Sequence, residues 1–302
     1  MLKRGTGFAV PQVFPGGEVD RGELLRICRR AEEIGFGDLW TSDSSMGSSV
    51  SLEPLQTLAY LAAATERVRL GVSVLVLPHR QPALLAKELA TLDQLSGGRL
   101  IVGVGIGGRG GSVPLGIGPE RRVRRFTEAL EVMNRLWREE HSDFDGHFFR
   151  LDRTPMQPKP LQRPRPPIWF GARAEPALRR AVRLGDGWMG PGSSSADDFR
   201  TQLAVVREAL EQAERDPASF AISKRLYLAI DDDAERARAR LREWFGHNYR
   251  NADMAEAVAV WGPAEHCHEY IDELVDAGAE HLLLNPVFDF DEHLEALRRY
   301  VA

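Results

Sequence analysis

The chain has 302 residues, of which 43% are hydrophobic and 27% are charged, and its formal net charge is -5 at pH 7. This composition is typical of a globular protein, and the acidic balance argues against a general nucleic-acid-binding surface. No apolar run approaches the roughly 18 residues that a membrane-spanning helix needs, and the first residues show no signal-peptide pattern. The two cysteines, Cys28 and Cys267, indicate neither a disulfide framework nor a metal site. We therefore expect a cytoplasmic protein that binds neither nucleic acid nor membrane.

Strands and helices alternate along the first half of the chain. Apolar, β-branched runs predict strands at residues 7–13, 38–43, 68–77 and 99–105. Apolar residues at helical spacing follow each run and predict helices at residues 21–35, 54–66, 83–95 and 120–137. Gly35 and Gly97 stand where left-handed caps commonly end a helix. Helices of this length between strands indicate βα units and a parallel sheet.

The same alternation continues through the second half. It predicts strands at residues 167–172, 187–191, 220–230 and 281–286, and helices at 175–185, 196–214, 233–245, 263–278 and 291–301. Eight such repeats predict the α/β class and a (β/α)8 TIM barrel. We interpret the proline-rich residues 155–167 as part of an insertion, because the strand rhythm resumes unchanged after them. The prediction is one barrel domain over residues 1–302, with insertions at about 107–119 and 138–166.

Three glycines after the fourth predicted strand, Gly103, Gly105 and Gly108, have the G-x-G-x-x-G spacing of a dinucleotide-binding fingerprint. That fingerprint belongs in the first βαβ unit, with its last glycine opening a helix. Here three βα units precede it and Pro114 follows it, so we reject the dinucleotide interpretation. In a barrel, Gly103, Gly105 and Gly107 either let the strand end approach a ligand or relieve crowding inside the barrel. The glycine-rich loop that follows is either a lid or simply flexible.

Four segments, residues 33–44, 66–107, 167–189 and 261–286, resemble the luciferase-like monooxygenase family of oxidoreductases, in the family's order. As a set they are most similar to members that use the deazaflavin coenzyme F420, while other members use reduced FMN. The resemblance implies a (β/α)8 barrel with a flavin-type ring in its mouth. It also implies a non-proline cis peptide behind that ring, at the end of the third strand, between Ser73 and Val74.

The resemblance further implies which residues hold the cofactor. The ring would lie against the Ser73–Val74 bulge and the strand end formed by Gly105, Ile106 and Gly107. The phosphate end maps to Gly171, Ala172 and Arg173, where free helix amides and a guanidinium would attract an anion. Trp188 would flank the cofactor tail. The alternatives are that Arg173 is a solvated residue at a helix start and that Trp188 packs in the barrel.

The catalytic candidates depart from the family pattern. The second strand of F420-using relatives often ends in S-D-H, whereas this chain has Ser42, Asp43 and Ser44. Ser44 can hydrogen-bond a ring carbonyl but cannot act as a general acid near neutral pH. Some relatives carry an acidic Glu where this chain has Gly108. These departures argue against sugar-phosphate dehydrogenation.

His79 is then the best candidate for acid–base work, with Asp43 and Ser44 as the other predicted catalytic residues. Arg80, Arg109 and Arg173 follow strands on the same barrel face and could steer an anionic ligand. The alternative is that they are scattered surface arginines.

The sequence thus predicts an oxidoreductase that transfers a hydride between coenzyme F420 and a small organic substrate. One alternative is an FMN-dependent monooxygenase that uses reduced flavin and O2. Two others are a cofactor-binding barrel with little catalysis and an unrelated barrel enzyme that acts on phosphorylated metabolites. The resemblance also implies a homodimer.

Overall fold

Eight parallel strands close into a barrel, which confirms the predicted (β/α)8 architecture. The computed structural model describes residues 2–43, 49–108 and 113–301. The strands are β1 Thr6–Ala9, β2 Asp38–Thr41, β3 Arg69–Val72, β4 Leu75–Val76, β5 Leu100–Gly105, β6 His141–Asp145, β7 Arg150–Pro155, β8 Ile168–Gly171, β9 Gly187–Gly190, β10 Ala221–Ile230, β11 Ala259–Gly262 and β12 His281–Pro286. The barrel order is β1-β2-β3-β5-β8-β9-β10-β12, with β12 pairing back on β1.

Helices follow the barrel strands and cover them on the outside. They are α1 Arg21–Ile34, α2 Pro54–Ala62, α3 Pro82–Leu95, α4 Arg122–Arg138, α5 Glu175–Leu184, α6 Ala196–Gln212, α7 Ala234–Tyr249, α8 Met254–Val258, α9 Ala264–Ala277 and α10 Phe290–Ala296. The first helix is typical. Asp20 caps its N-terminus by accepting the Glu23 amide, and Gly35 ends it at a φ of 115°. Among the described residues, no helix is both long and apolar enough to cross a membrane.

Four elements have no counterpart among the strands and helices predicted from the sequence. Two of them, β6 and β7, form an antiparallel hairpin in the insertion after α4. The other two are α8 and β11, which lie between the predicted helices at 233–245 and 263–278. Strand β11 pairs with Tyr227–Ile230, the half of β10 that extends beyond its pairing with β9. This extension raises one wall of the barrel mouth.

The barrel interior is filled by side chains and forms a solid floor under the mouth. Each of seven barrel strands contributes one residue to this cluster: Ala9, Trp40, Ile101, Trp169, Met189, Ala221 and Leu283. Below it, at the N-terminal ends of the strands, Ser223 Oγ lies 2.7 Å from His281 Nδ1, and His281 Nε2 lies 3.2 Å from an Asp38 oxygen. This Ser-His-Asp arrangement looks like a hydrolytic triad, but all three residues are fully buried. The end of the barrel opposite the mouth therefore stabilises the fold.

Candidate active site at the barrel mouth

The third barrel strand does not run straight into the mouth. After β3 ends at Val72 the chain bulges through Ser73 and Val74 before β4 begins, and the peptide bond between these two residues is cis, which confirms that prediction. The Ser73 amide donates to the Thr41 carbonyl oxygen at 2.7 Å. The Val76 amide donates to Asp43 Oδ2 at 3.0 Å. The end of β2 thus holds both ends of the bulge.

The side chain of Val74 packs directly against the backbone of two glycines. A Cβ atom added at Gly105 would lie 2.5 Å from Val74 Cγ2, and one added at Gly171 would lie 3.0 Å from Val74 Cγ1. A Cβ at Gly103 would overlap the carbonyl oxygen of Val72. The G-x-G pattern is therefore explained by crowding against the bulge, the second of the two interpretations offered above. The bulge, in turn, leaves Ser73 and Val74 only half-buried.

Gly107 and Ile106 continue this contact beyond the strand. Gly107 has a φ of 73°, and a Cβ there would lie 2.5 Å from Val76 Cγ1. Ile106 is partly buried and packs against the core. The predicted ring-binding residues are therefore neighbours of the bulge, although their glycines make room for protein atoms.

Asp43 has a fully buried side chain that is paired with a cation. Besides the Val76 amide, its carboxylate accepts Arg80 Nη2 at 3.0 Å and Arg80 Nε at 3.3 Å. Bonds from a guanidinium and a backbone amide hold this carboxylate in one position, and they join it to the start of β4. Asp43 therefore positions the bulge through the Val76 amide, and its catalytic role stays a prediction.

His79 lies beside this ion pair, at the end of a single 3-10 turn, Leu77–His79. Burial lowers the pKa of His79, and Arg80 and Arg125 lower it further against the opposing effect of Asp43. The imidazole is therefore neutral at pH 7. Its Nδ1 is buried and has no hydrogen-bond partner within the described residues. Because His79 is neutral and partly desolvated, it stays a predicted acid–base residue.

Arg225 is the residue that sequence reasoning missed. It lies in the middle of β10, and its guanidinium crosses the mouth. Nη1 donates to the Ser73 carbonyl oxygen at 3.1 Å, Nη2 donates to Ser42 Oγ at 3.0 Å, and Nε donates to Asn285 Oδ1 at 2.9 Å. The signal was present in the sequence, because Lys224 and Arg225 interrupt an otherwise apolar predicted strand. Cations at such positions are rare unless they have partners.

Lys224 points to the other side of β10 and holds the loop after β9. Its Nζ donates to the carbonyl oxygens of Pro191 at 2.6 Å and Ser194 at 2.7 Å, and to Ser194 Oγ at 3.1 Å. Only 1% of this residue is exposed, and burial lowers the pKa of the ammonium to about 7. The loop next to the mouth is thereby fixed to the barrel wall.

A cavity of about 200 Å³ opens in the mouth opposite the bulge, and we call it the mouth cavity. It lies between the ends of β1, β2, β10 and β12 and the second half of α7. Its polar lining includes Ser42, Arg225 and Asn285, and its aromatic lining is Tyr227, Trp244, Tyr249 and Phe290. The hydroxyl oxygens of Tyr227 and Tyr249 are 2.7 Å apart. His79 is not among the residues that line the mouth cavity.

The predicted phosphate site lies where β8 leads into α5. Within the part of the chain that the structure describes, the N-terminus of α5 has no side-chain cap, because its N-cap residue is Ala174. Arg173 precedes it with 53% of its side chain exposed, and its Nη2 lies 3.7 Å from Asp198 Oδ2. Free amides at the positive end of a helix and a nearby guanidinium favour anions in general, so Gly171, Ala172 and Arg173 stay a predicted phosphate site.

Trp188 does not reach the surface of the mouth. Its side chain has no exposed area, stacks on Phe199 at 5.3 Å between ring centroids, and donates from Nε1 to the Ala172 carbonyl oxygen at 2.9 Å. Trp188 therefore packs inside the barrel, as the alternative interpretation expected. Its buried indole cannot flank a cofactor tail. Two further predicted residues, Ser44 and Arg109, lie outside the described residues.

These features define a class, (β/α)8 barrels in which a bulge after the third strand lies across the mouth from a cavity. The chain also matches the family model described as luciferase-like monooxygenase over residues 7–281. It belongs to the luciferase-like monooxygenase family, as the sequence resemblance predicted, and it is an oxidoreductase of that family.

Several known proteins are similar to it. An F420-dependent glucose-6-phosphate dehydrogenase of Nakamurella multipartita is 30% identical over 289 residues, covering 92% of this chain and 83% of that protein. An FMNH2-dependent dimethylsulfone monooxygenase of Pseudomonas putida is 30% identical over 241 residues, covering 75% of this chain and 65% of the relative. Among solved structures, an F420-dependent secondary alcohol dehydrogenase in complex with an F420-acetone adduct superposes with a TM-score of 0.87 at 21% identity. That match covers 99% of this chain and 98% of the other.

Proposed function

We propose that this protein transfers a hydride between coenzyme F420 and a small organic substrate. The observation that carries the proposal is the half-buried Ser73–Val74 bulge, seated on glycines at the C-terminal edge of a (β/α)8 barrel beside a cavity. Barrel enzymes place their chemistry at this edge. Curated relatives such as the Nakamurella multipartita dehydrogenase are F420-dependent by name.

The residues present fit a flavin-type cofactor. Ser73 and Val74 offer a half-buried surface at the mouth, whereas Leu70 and Val72 in the strand before them are fully buried. Ser73, Val74, Gly105, Ile106 and Gly107 would hold the ring, and Gly171, Ala172 and Arg173 would hold the phosphate end. When bound, the coenzyme supplies the ring carbon that gives or takes a hydride.

The chain's own residues would then orient and enclose the reactants. Asp43 and Arg225 fix the two ends of the bulge, so the surface offered to a ring is rigid before any ligand arrives. The aromatic side chains of the mouth cavity would shield one side of a substrate from water, which strengthens polar contacts made there. His79, neutral at pH 7, and Ser44 remain the proposed groups for a proton and a ring hydrogen bond.

The first experiment measures binding of F420 and of FMN, each oxidised and reduced, by fluorescence quenching. We expect F420 to bind, and we expect Arg173→Ala to weaken it by about threefold to fivefold, the range of one half-exposed ionic contact. Arg183→Ala is the matched control, since Arg183 is exposed on the last turn of the same helix and should leave the affinity unchanged. If neither cofactor binds, the proposal is wrong.

The second candidate function is an FMN-dependent monooxygenase, which the FMNH2-dependent relative from Pseudomonas putida favours. It requires preferential binding of reduced FMN and substrate-dependent oxygen consumption. Preference for F420, with no oxygen uptake, rejects it. A cofactor-binding barrel with little catalysis predicts tight F420 binding but no turnover of reduced coenzyme against a panel of oxidants.

We further propose that the protein is a cytoplasmic homodimer with a single barrel domain. Sedimentation equilibrium tests the assembly directly, and a monomer at micromolar concentration contradicts it. Limited proteolysis tests the domain organisation, because a single domain resists cleavage into two stable halves.

A further inference from the structure

Few groups in the mouth cavity can exchange a proton with a ligand. Among its described lining residues, four carry titratable side chains: Asp43, Arg225, Tyr227 and Tyr249. His79 does not line this cavity. A substrate that gains or loses a proton there therefore exchanges it with one of these four groups or with water.

Asp43 and Arg225 are unsuited to this exchange. The side chain of Asp43 is fully buried, and its carboxylate accepts hydrogen bonds from the Arg80 guanidinium and the Val76 amide. A guanidinium such as that of Arg225 stays protonated in proteins. The two tyrosines are thus the remaining candidates.

The rest of the polar lining consists of amides and aliphatic hydroxyl groups. They belong to Gln12, Ser42, Ser49, Ser51, Asn248 and Asn285. These groups can orient a ligand through hydrogen bonds, but they do not act as acids or bases near neutral pH. The mouth cavity is therefore polar as well as aromatic, and its proton chemistry falls to the tyrosines.

The hydroxyl groups of Tyr227 and Tyr249 form a hydrogen bond whose direction follows from burial. Their oxygens are 2.7 Å apart. Tyr227 has no exposed area, and Tyr249 is the one partner of its hydroxyl within the described residues, whereas 43% of Tyr249 is exposed. If Tyr249 donated, the hydroxyl hydrogen of Tyr227 would be buried without an acceptor, which is unfavourable. Tyr227 therefore donates, and the hydrogen of Tyr249 is left for the mouth cavity.

The surroundings hold both phenols in this arrangement. Tyr249 is the last residue of α7, and its ring stacks on Phe245 with 5.4 Å between centroids. The Tyr227 ring meets the same Phe245 edge-on at 5.0 Å. Burial raises the pKa of Tyr227 well above its usual value, against the opposing effect of Arg225. Tyr227 thus keeps its proton and remains a donor.

A negative charge formed on Tyr249 would be stabilised by two neighbours. A hydrogen bond donated to an ionised group favours the ionised form, and Tyr227 supplies one. The guanidinium of Arg225, the one cation among the described lining residues, lies 4.8 Å from the centroid of the Tyr227 ring. It also donates to the Ser73 carbonyl oxygen, so one residue joins the tyrosine pair to the bulge.

We propose that Tyr249 is a catalytic acid and base in the mouth cavity and that Tyr227 positions it. In the reducing direction a hydride adds to one atom of a polar double bond in the substrate, while the O–H bond of Tyr249 breaks and its proton bonds to the other atom. The electron pair of that O–H bond stays on the phenolate oxygen, and a proton from water restores the hydroxyl. Oxidation reverses both transfers.

This inference rests on the proposed function, which supplies the hydride. It gives the tyrosine pair the place of the acidic groups that the sequence lacks at Ser44 and Gly108.

The first arm of the test labels the protein without cofactor. N-Acetylimidazole acetylates tyrosines through the phenolate oxygen, and mass spectrometry of peptides gives the rate at each one. Because it removes a donated hydrogen bond, Tyr227→Phe should slow acetylation of Tyr249 by about fivefold. Tyr60, also 43% exposed, should be unaffected, and Tyr270→Phe is the matched control that should change neither rate. An unchanged or faster reaction at Tyr249 would show that Tyr227 does not donate and would overturn the proposal.

The second arm follows hydride transfer from reduced F420 to cyclohexenone in H2O and in D2O, under single-turnover conditions. We expect Tyr249→Phe to lower the rate by about 100-fold or more, the usual effect of a general acid, and to abolish the solvent isotope effect. Its F420 affinity should not change. Tyr227→Phe should lower the rate by about fivefold. The proposal is wrong if Tyr249→Phe keeps the rate within about threefold of the wild type, or if His79→Ala abolishes the solvent isotope effect instead.

Failure of this proposal is distinguishable from failure of the proposed function. If reduced F420 transfers a hydride to cyclohexenone without the help of Tyr249, the proposed function stands and the role of Tyr249 is rejected. If F420 binds but the wild type transfers no hydride to cyclohexenone, the cofactor site stands and the role of Tyr249 is again rejected. If F420 does not bind, the proposed function is wrong, and the acetylation rates still decide whether Tyr227 donates to Tyr249.

Discussion

The contact between Val74 and Gly105 allows a direct test of how the bulge is held. An alanine at position 105 would place its Cβ 2.5 Å from Val74 Cγ2, whereas ordinary van der Waals contact begins at 3.4 Å. The overlap of about 0.9 Å must be relieved by moving Val74, and overpacking of this kind costs about 1–3 kcal/mol. We expect Gly105→Ala to lower the free energy of unfolding by about 2 kcal/mol.

The same contact predicts how a second substitution restores stability. In Val74→Ala the nearest remaining atom of residue 74 is Cβ, 3.7 Å from the new methyl group, which is an ordinary contact. Val74→Ala alone removes two half-buried methyl groups and should cost about 1–2 kcal/mol. Once Val74 is truncated, Gly105→Ala should cost little more, so the two substitutions should deviate from additivity by about 1–2 kcal/mol.

Urea unfolding of the wild type, both single variants and the double variant measures this coupling at constant m-value. Gly16→Ala is the control, since a Cβ there meets nothing within 4 Å, and it should stay within about 0.5 kcal/mol of the wild type. The F420 affinity of Gly105→Ala should fall as well, because the displaced bulge is the proposed ring surface. Additive effects within about 0.5 kcal/mol would refute the idea that Val74 is seated on Gly105.

Three further predictions follow from buried groups. Burial lowers the pKa of Lys224 to about 7, so between about pH 7 and 10.5 the unfolded chain binds a proton at Lys224 that the folded chain does not. The free energy of unfolding should therefore rise by up to about 1.4 kcal/mol per pH unit in this range. Lys224→Met should abolish that slope in urea titrations at about pH 7 to 9.5. Asp38→Asn should lower the free energy of unfolding by about 2 kcal/mol in the same assay, because it weakens the contacts with Arg69 and His281. It should leave the F420 affinity unchanged, and a changed affinity would contradict the structural role of Asp38. The thiols of Cys28 and Cys267 are buried, and burial raises the pKa of Cys267 to about 12, so neither should react with a disulfide reagent until the protein is unfolded.

The elements that sequence reasoning predicted well are those with a local signal. The first helix was predicted at 21–35 and runs from Arg21 to Ile34, because its apolar spacing and its terminal glycine are readable in one stretch of chain. The strand at 68–77 was predicted as continuous, yet it breaks between Val72 and Leu75. Composition alone cannot distinguish a bulge from a buried strand. The resemblance to a known family supplied the position of the cis peptide.

The short elements β6, β7 and β11 had no such local signal. Strand β11 has four residues and forms because the far half of β10 offers an unpaired edge. The hairpin of β6 and β7 depends similarly on a distant group, since the carboxylate of Glu128 in α4 accepts the amides of His147 and Phe148 at its turn. An element whose hydrogen bonds are supplied by another part of the chain is not encoded by its own periodicity.

The sequence by itself determined the barrel and the strand ends at which a site should lie, because alternating periodicities and glycine caps act over a few residues. Its resemblance to a known family supplied the family. Only the tertiary structure decided what the side chains there do. It showed that the glycines make room for Val74, that Asp43 is bound to Arg80, that Trp188 is packed away from the mouth, and that Arg225 reaches from β10 to the bulge. The contacts of Asp43 with Arg80 and of Arg225 with Ser73 join residues 37 and 152 positions apart in the chain, and such distances close only when eight strands meet in one barrel.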